Sequence, residues 1–290
     1  MKTFHICTIS NDPAQYAAMK QSFLAAGFDE ERCVYTLLDN SQGNHHEPYS
    51  AFNQVKSANR ERYLIFCHQD VFPNRGQGYD ELVKTLEDLS RHDPNWAVAG
   101  NSGVNRSYQF ATRITDRLQS IYWTGALPES VCTLDENFLV INNAKDIRWS
   151  SELSGFHFYG PDICLNAIKR GHKAYVIDFH LTHLGLGVLS PEFWAIKSQF
   201  QKHWEKQFHF AFVVVPTGVP LVLTKYRVLQ ALINTTFVQR RILRPKAFRI
   251  ARRFQLSPKA ERGPLPIWPG CFATAGEKVN SEADFVPVSR

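Results

Sequence analysis

The chain alternates short apolar runs with longer amphipathic stretches over its first hundred residues. The stretches between the runs carry helix signals, such as Asp12-Pro13 at the start of the first one and Gly27 at its end. Strands that alternate with helices predict a mainly parallel sheet flanked by helices, which is an α/β fold. Runs rich in β-branched or aromatic residues predict buried strands at 3–9, 33–38, 63–67 and 96–100.

The later part of the chain continues the pattern after an irregular stretch. Residues 101–134 are rich in Gly, Ser, Asn and Thr, and predict an inserted loop or hairpin. Strands are predicted at 137–141 and 173–179, with a helix between them that begins near Gly160. An amphipathic helix is predicted at 190–208.

Charge is distributed unevenly along the chain. Residues 1–224 hold 20 basic and 23 acidic side chains, whereas 225–262 hold eleven Lys and Arg and one acid. We therefore expect a domain at 1–209, an interfacial segment with a basic helical extension at 210–262, and a flexible tail at 263–290. The apolar run within 210–223 is too short and too Pro-broken to span a bilayer, and is typical of an interfacial or a core segment.

The basic block at 225–262 has three interpretations. A basic amphipathic helix can lie on an anionic membrane surface, where each basic residue contributes about 1 kcal/mol. A solvated or partner-binding helix is the plainer alternative. Nucleic acid is the third, and the absence of any RNA- or DNA-binding motif beside the charge argues against it.

The six cysteines form no CxxC pair, and Cys7, Cys67 and Cys164 lie in apolar surroundings where a free thiol packs as a small core side chain. The N-terminus lacks the long apolar stretch of a signal peptide. We therefore expect reduced thiols and a cytoplasmic protein, peripheral on the inner face of the membrane if the basic block binds lipid.

Polar side chains follow the second and third predicted strands. Asp39 and Asn40 come after the second, and His68-Gln69-Asp70 comes directly after the third. Ligands of parallel sheets bind beyond the carboxyl ends of strands, and Mg²⁺ and Mn²⁺ bridge carboxylates to phosphate oxygens there. Asp70 is therefore either a ligand of such a cation or a carboxylate that caps a turn.

Three segments carry a more specific pattern, namely LLDNSQGN (37–44), AFNQVKSANRERYLIFCHQDVF (51–72) and FHFYGPDICLNAIKRGHKAYVIDFHLTHLG (156–185). In this order they resemble the family-2-type (GT-A) glycosyltransferases, and more narrowly a bacterial glycosyltransferase-like subfamily, over roughly residues 1–205. The resemblance implies a GT-A nucleotide-sugar-binding fold. It also implies metal-dependent transfer, with Mn²⁺ or Mg²⁺, of a sugar from a nucleotide-sugar donor to a hydroxyl of a glycan or lipid-linked acceptor, with inversion.

For the nucleotide, the resemblance implies that Asp39 contacts the base or ribose, with Asn40 and Thr8 nearby. Asn53 falls where the family's helix faces the nucleotide, and a structural amide is the alternative. These four side chains are the nucleotide-binding candidates.

For the metal, Asp70 matches the last acid of the family's DxD motif. His68 stands where the family often has the first Asp, and an imidazole there still suits Mn²⁺. His183 matches a histidine that completes metal or diphosphate binding, and a loop histidine is the alternative.

On the acceptor side, many family members have Glu-Asp-x-Asp where this chain has Tyr159-Gly160-Pro161-Asp162. An inverting transferase needs a general base for the acceptor hydroxyl, and with glycine at 160 the resemblance leaves Asp162 as the first choice. A carboxylate that stabilises the first turn of a helix, by about 0.3–1 kcal/mol, is the alternative.

Four further side chains are candidates for the acceptor side. A catalytically silent protein is the alternative to an enzyme. His157 and Tyr159 would lie beside the acceptor, and Asp135 and Glu136 resemble acceptor-site acids, although acids before a strand are often only solvated. The departures at 68 and 160 also fit a silent GT-A-fold scaffold or binding protein in polysaccharide assembly.

Overall fold

The computed structural model describes residues 2–185, 189–233 and 238. The strands are β1 (Phe4–Ser10), β2 (Cys33–Asp39), β3 (Tyr63–Cys67), β4 (Val71–Pro73), β5 (Trp96–Gly100), β6 (Ser102–Val104), β7 (Phe110–Asp116), β8 (Ile121–Thr124), β9 (Glu129–Val131), β10 (Thr133–Leu134), β11 (Phe138–Asn142), β12 (Lys173–Val176), β13 (Leu181–His183), β14 (Ala211–Val214) and β15 (Pro220–Leu223). The helices are α1 (Pro13–Ala25), α2 (Pro48–Ala58), α3 (Tyr79–His92), α4 (Tyr159–Lys169), α5 (Pro191–Trp204) and α6 (Arg227–Ile233).

The main sheet has seven strands in the order β2-β1-β3-β11-β5-β12-β9. β1 is parallel to β2 and β3, and β12 is parallel to β5. β11 is antiparallel to both β3 and β5, so these two strands run in the same direction on either side of it. The predicted α/β class, with a mainly parallel sheet flanked by helices, is confirmed.

Helices cover both faces of this sheet, because its strands alternate their apolar side chains between two cores. Phe4 and Ile6 of β1 pack with α1 and α3, whereas Cys7 of the same strand packs with α2, α4 and α5. β3 divides in the same way, with Ile65 in the first core and Phe66 in the second. Such two-faced burial is why these strands appear in the sequence as continuous apolar runs.

Residues 101–134 are not the loop or single hairpin that the composition predicts. They contain β6 to β10, and most of these strands join β13 and β4 in a second sheet of order β10-β6-β7-β13-β4, with β8 on β7. The strands are short and carry many polar residues, so they lack the apolar periodicity that would reveal them. Gly103 allows their close approach, because a Cβ there would lie 2.5 Å from the Thr133 carbonyl oxygen.

The apolar segment within 210–223 forms a core hairpin, which agrees with the core alternative rather than the interfacial one. β14 and β15 pair antiparallel, and Val213, Leu221 and Leu223 are buried in the same core as α5. Only the beginning of the predicted basic extension, through α6, lies in the described part of the chain. The rest of that extension apart from residue 238, the tail at 263–290 and Cys271 lie outside the described residues.

The described residues bear on two expectations, the lack of a membrane-spanning helix and the free state of the cysteines. Within these residues no helix has the length and apolarity needed to cross a bilayer. Their cysteines are Cys7, Cys33, Cys67, Cys132 and Cys164, and all five are free thiols. The cytoplasmic location itself stays a prediction.

A buried carboxylate joins α3 to the main sheet. Asp93 accepts hydrogen bonds from the Tyr175 hydroxyl (2.8 Å) and the Asn95 amide (2.9 Å), and it pairs with Lys173 Nζ at 2.9 Å. Burial alone would raise the pKa of Asp93, but these partners lower it to about 2.

We expect Asp93→Asn to lower the free energy of unfolding by about 1–2 kcal/mol at pH 7, a figure reduced because Lys173 is half exposed. The carboxylate's contribution is complete above its unfolded-state pKa of about 3.9 and is lost as the pH falls through its folded pKa. Urea unfolding of both proteins between pH 7 and pH 2 measures this. The gap between them should close in acid, and a gap independent of pH would contradict the assignment.

Candidate functional site

A cleft of about 400 Å³ lies at the carboxyl ends of β1, β2 and β3. Its apolar floor is formed by Ile9, Phe52 and Phe66, and the two phenylalanine rings lie 4.3 Å apart between centroids. Its polar lining consists of Asn11, Asn40, Asn44, His68, Gln69, Asp70, Tyr159 and Glu192. This is the position at which parallel sheets bind their ligands.

Three predicted metal ligands meet at one wall of the cleft. Asp70 lies between β3 and β4, and His183 ends β13, which pairs antiparallel with β4. His183 Nε2 lies 3.4 Å from Asp70 Oδ1 and 3.3 Å from His68 Nδ1. One ligand atom of each residue lies within 4.8 Å of those of the other two, so the group can hold a metal ion.

The backbone around this group is shaped to leave room for it. A Cβ on Gly185 would lie 2.8 Å from both Asp70 Oδ2 and His183 Nε2. The Leu184 amide donates to the Asp70 main-chain oxygen at 3.1 Å, which fixes the chain in this close approach. Two imidazoles and one carboxylate form a mixed nitrogen and oxygen donor set of the kind that holds divalent transition-metal ions, and its carboxylate suits Mn²⁺.

Hydrogen bonds behind His68 orient it toward the group. The Tyr159 hydroxyl is 3.3 Å from the Glu136 main-chain oxygen, to which it donates, and 2.7 Å from His68 Nε2. With its single proton used in the first bond, the hydroxyl accepts from Nε2–H. The lone pair of the neutral ring is then on Nδ1, the nitrogen that faces His183, which is how a supporting partner fixes the tautomer of a ligand histidine.

The charges of His68 and Asp70 favour cation binding. Burial alone would lower the pKa of His183, but the hydrogen bond and charge of Asp70 outweigh it and raise that pKa, so His183 would release a proton on binding a metal. Burial, reinforced by the positive charge of the neighbouring His183, lowers the pKa of His68 and so favours the neutral ring. Burial alone would raise the pKa of Asp70, but the hydrogen bond and charge of His183, with a smaller effect of His68, bring it below its ordinary value. Asp70 is therefore ionised, and a carboxylate and a neutral imidazole present lone pairs at one point.

Two of the nucleotide candidates lie at the correct edge of the sheet. Asn40 lines the cleft, although its amide also holds its own loop, with bonds to the His46 oxygen (2.8 Å) and the His45 and His46 amides. Asp39 ends β2, is exposed and accepts from the Ser41 amide at 2.8 Å. These contacts with its own turn lower the pKa of Asp39, and its carboxylate stays outside the cleft lining.

The other two nucleotide candidates are structural, which corrects the prediction. Thr8 is fully buried in β1, and its hydroxyl lies 3.4 Å from Cys67 Sγ. Both amide atoms of Asn53 bond to the backbone of Trp149, at 2.9 and 3.0 Å. On this helix Phe52, and not Asn53, reaches the cleft.

Asp162 does not have the environment of a general base, which also corrects the prediction. Its carboxylate has no exposed surface and does not line the cleft. It accepts hydrogen bonds from the Ser150 amide and hydroxyl (both 2.8 Å), from Trp204 Nε1 (3.0 Å) and from Asn166 Nδ2 (3.1 Å). Asp162 therefore ties α4 to α5 and to the segment that precedes α4.

The acceptor-side candidates surround the first turn of α4. Tyr159 lines the cleft, and His157 packs its ring against Phe193 of α5. Asp135 and Glu136 precede β11, and both carboxylates act on the pKa of Tyr159, which burial first raises well above its ordinary value. Of these four side chains only Tyr159 lines the cleft; Glu136 stands at the start of α4, Asp135 accepts from Asn137, and His157 packs on α5.

Several cleft residues are missing from the sequence prediction, and Gln69 and Glu192 are the two whose polar side chains stand beside the predicted ligands or at a helix start. Gln69 holds the loop after β1, because its Oε1 accepts from the Asn11 and Asp12 amides at 3.1 and 3.2 Å. Its place in the sequence between His68 and Asp70, at a strand end, is a signal that could have predicted its position in the cleft. Glu192 reaches the cleft from the first turn of α5, where its sequence context indicated only a helix start.

Comparison with known proteins gives one close relative and distant structural likenesses. No family model matches the chain. The Fuscovulum blasticum protein named ATP synthase subunits region ORF 6 is 35% identical over 211 residues, which cover 71% of this chain and 84% of that protein. The structure of S. aureus TarS 1-349 in complex with UDP-GlcNAc gives a TM-score of 0.46 at 13% identity, over 70% of this chain and 65% of that chain. The structure of A197 from STIV gives 0.37 at 10% identity, over 66% and 97%.

We expect Asp162→Ala to lower the free energy of unfolding by at least about 3 kcal/mol, because it leaves several buried donors without an acceptor. Burial raises the pKa of Asp162 to about 6, above its unfolded value. The folded state therefore binds the proton more tightly, and the wild type gains stability as the pH falls from 7 through 6 toward 4. Urea unfolding at pH 7 and pH 5 should show the difference between the two proteins widen by about 1 kcal/mol. An equally stable variant would contradict the structural role.

Proposed function

This chain belongs to the family of the Fuscovulum blasticum protein named ATP synthase subunits region ORF 6, and we propose that it is a nucleotide-sugar glycosyltransferase. The observation that carries the proposal is the meeting of ligand atoms from His68, Asp70 and His183 at the wall of a cleft. The cleft lies at the carboxyl edge of a mainly parallel sheet. A cation site beside such a cleft suits a ligand that carries a diphosphate.

The shape of the cleft supports a nucleoside beside the cation site. Phe52 and Phe66 add apolar surface to the lining, and Asn11 and Asn44 add amide side chains beside Asn40, whose own amide holds its loop. A volume of about 400 Å³ lies within the ordinary range for small-molecule sites. We assign the base and ribose to this part, and the diphosphate to the part beside Asp70.

The proposed metal dependence rests on the same three residues. Mn²⁺ or Mg²⁺ held by His68, Asp70 and His183 would act as a Lewis acid that stabilises the negative charge of the departing nucleoside diphosphate. The chain's own part is to hold these ligands in place, through Tyr159 behind His68 and through the close approach at Gly185.

The acceptor side of the proposal uses the opening beside Tyr159. Tyr159 and Glu192 line it. We assign His157, Asp135 and Glu136 to the same side, because hydroxyl, imidazole and carboxylate groups suit a sugar hydroxyl as ligand. We propose a glycan or lipid-linked acceptor and inversion at the anomeric carbon, as the sequence resemblance implies. Contact of 225–262 with an anionic membrane stays part of the same proposal.

The burial of Asp162 favours one competing function. A protein of this fold without a usable base would bind a nucleotide sugar and leave it intact, as a scaffold or binding protein in polysaccharide assembly. Saturable binding of a nucleotide sugar with Mn²⁺, but no release of nucleoside diphosphate with any acceptor, would favour this alternative.

We expect Asp70→Asn to reduce kcat/KM for nucleoside diphosphate release by at least about 100-fold, because even the groups that orient metal ligands are worth about 10–100-fold. The substitution keeps the size of the side chain and removes its charge. The measurement is a coupled assay with UDP-, GDP-, ADP- and dTDP-sugars and Mn²⁺.

Asp178→Asn is the matched control for this variant. Asp178 also pairs with a cationic side chain, Arg113 at 2.7 Å, but it lies outside the cleft lining. It should retain activity within a few-fold. Turnover at the wild-type level in Asp70→Asn would sink the proposed metal role.

We expect Gly185→Ala to weaken Mn²⁺ binding, because its methyl group would lie 2.8 Å from Asp70 Oδ2 and from His183 Nε2. A ligand present at 100 times its Kd stabilises a protein by about 2.7 kcal/mol. Thermal unfolding with and without Mn²⁺ should therefore show a rise in Tm for the wild type and a much smaller rise for the variant. Equal shifts would show that the cation binds elsewhere.

A further inference from the structure

Glu136 occupies an unusual position at the start of a helix. It lies between β10 and β11 in sequence, but the Gly160 amide of α4 lies 3.4 Å from its Oε1 and donates to it. The amides of Phe158 and Tyr159 also donate to this carboxylate. Phe158 precedes α4 with a left-handed φ of 66° and supplies no capping side chain. The carboxylate of Glu136 thus serves amides that the start of a helix leaves without partners.

Glycine at position 160 is what lets Glu136 occupy this place. A Cβ on residue 160 would lie 2.6 Å from the Leu134 main-chain oxygen and 3.0 Å from Glu136 Cγ. A side chain projecting from α4 at this point would collide with the segment that carries Glu136. The carboxylate at the start of α4 therefore comes from residue 136 and not from the helix.

Glu136 lies directly behind Tyr159, outside the cleft lining itself. Its main-chain oxygen accepts from the Tyr159 hydroxyl, which lines the cleft and contacts His68. Burial raises the pKa of Tyr159, and the negative charges of Glu136, Asp135 and Asp70 raise it further. The Glu136 side chain is half-buried, whereas Asp162 has no exposed surface. Of the two carboxylates at the start of α4, that of Glu136 therefore belongs to a partly exposed residue and that of Asp162 to a fully buried one.

The electrostatic setting suits proton transfer near neutral pH. Burial, with a further contribution from Asp135, raises the pKa of Glu136 to about 8, against the opposing effect of the helix amides. A general base works best when its pKa lies near the operating pH.

We infer that Glu136 is the general base of the proposed transfer reaction, in place of Asp162. This inference rests on the proposed function. The acceptor oxygen bonds to the anomeric carbon of the donor as its proton passes to the Glu136 carboxylate. The bond from that carbon to the phosphate oxygen breaks, and its electron pair leaves with the nucleoside diphosphate. Water can take the acceptor's place, which gives hydrolysis of the donor.

Glu136→Gln separates this role from a purely structural one. Glutamine keeps an oxygen that accepts from the Gly160 amide but cannot take up a proton. We expect kcat for hydrolysis of the nucleotide sugar that the wild type turns over to fall about 10²–10⁴-fold. The Kd of the corresponding nucleoside diphosphate with Mn²⁺ and the Tm should stay close to those of the wild type.

The pH–rate profile is the second readout. The wild-type rate should rise with pH up to about pH 8, because the base must be ionised, and Glu136→Gln should lose this limb. Glu81→Gln is the control, since Glu81 also accepts from an amide at a helix start, that of Gly78 at 3.0 Å. It lies at the start of α3, near Thr3 ahead of β1, away from the carboxyl edge that bears the cleft.

The outcomes distinguish this inference from the proposed function. A wild type that neither binds nor cleaves any nucleotide sugar with Mn²⁺ overturns both. An active wild type with Glu136→Gln within three-fold of it overturns only the role of Glu136. If Glu136→Gln does not fold, the wild-type profile decides, and a rate independent of pH between 6 and 9 overturns the inference.

Discussion

The pairing of β13 with β4 is the contact on which the candidate site depends. His183 lies opposite Val71 in this antiparallel register, so Asp70 and His183 meet although they are far apart in sequence. β4 follows β3 by a short turn, and β13 is also held by β7. The second sheet therefore fixes the position of a histidine against the carboxyl edge of the main sheet. Without it, the apolar core could form but the three ligand atoms would not converge.

A buried carboxylate stabilises the other side of the cleft. Asp162 accepts from Ser150, Asn166 and Trp204, and so joins α4, α5 and the segment before α4 at one point. Burial of an ion is costly, and each of these donors offsets part of that cost. The arrangement fixes the first turn of α4, and with it Tyr159 behind His68. Asp162 thus supports the site by holding Tyr159 in position, and it does not contact the cleft itself.

The sequence predicts those parts of the site that follow from local pattern. The apolar runs of β1, β2 and β3 end at Asn40 and at His68-Gln69-Asp70, and the rule that ligands bind at strand ends is sufficient to place them in one cleft. The local sequence pattern does not determine the direction in which each side chain points. Thr8 is directed inward by the alternation of β1, and Asn53 by its two bonds to the backbone of Trp149, a residue from a distant segment. The second sheet is invisible to local pattern for a related reason, since its short, polar strands depend on partners and not on their own periodicity.

Two glycines show why the sequence can indicate the correct position of a functional group but the wrong residue for it. At 160 and at 185 the absence of a side chain leaves room for groups from other segments, Glu136 in the first case and Asp70 with His183 in the second. From the sequence, glycine at 160 indicates a lost acid. In the folded chain the carboxylate of Glu136 lies against the start of the same helix. A side chain at residue 160 would collide with Glu136, so this position must be glycine. The chemistry of such a site therefore depends on which segment of the chain supplies the functional side chain. The sequence of one segment alone does not reveal this.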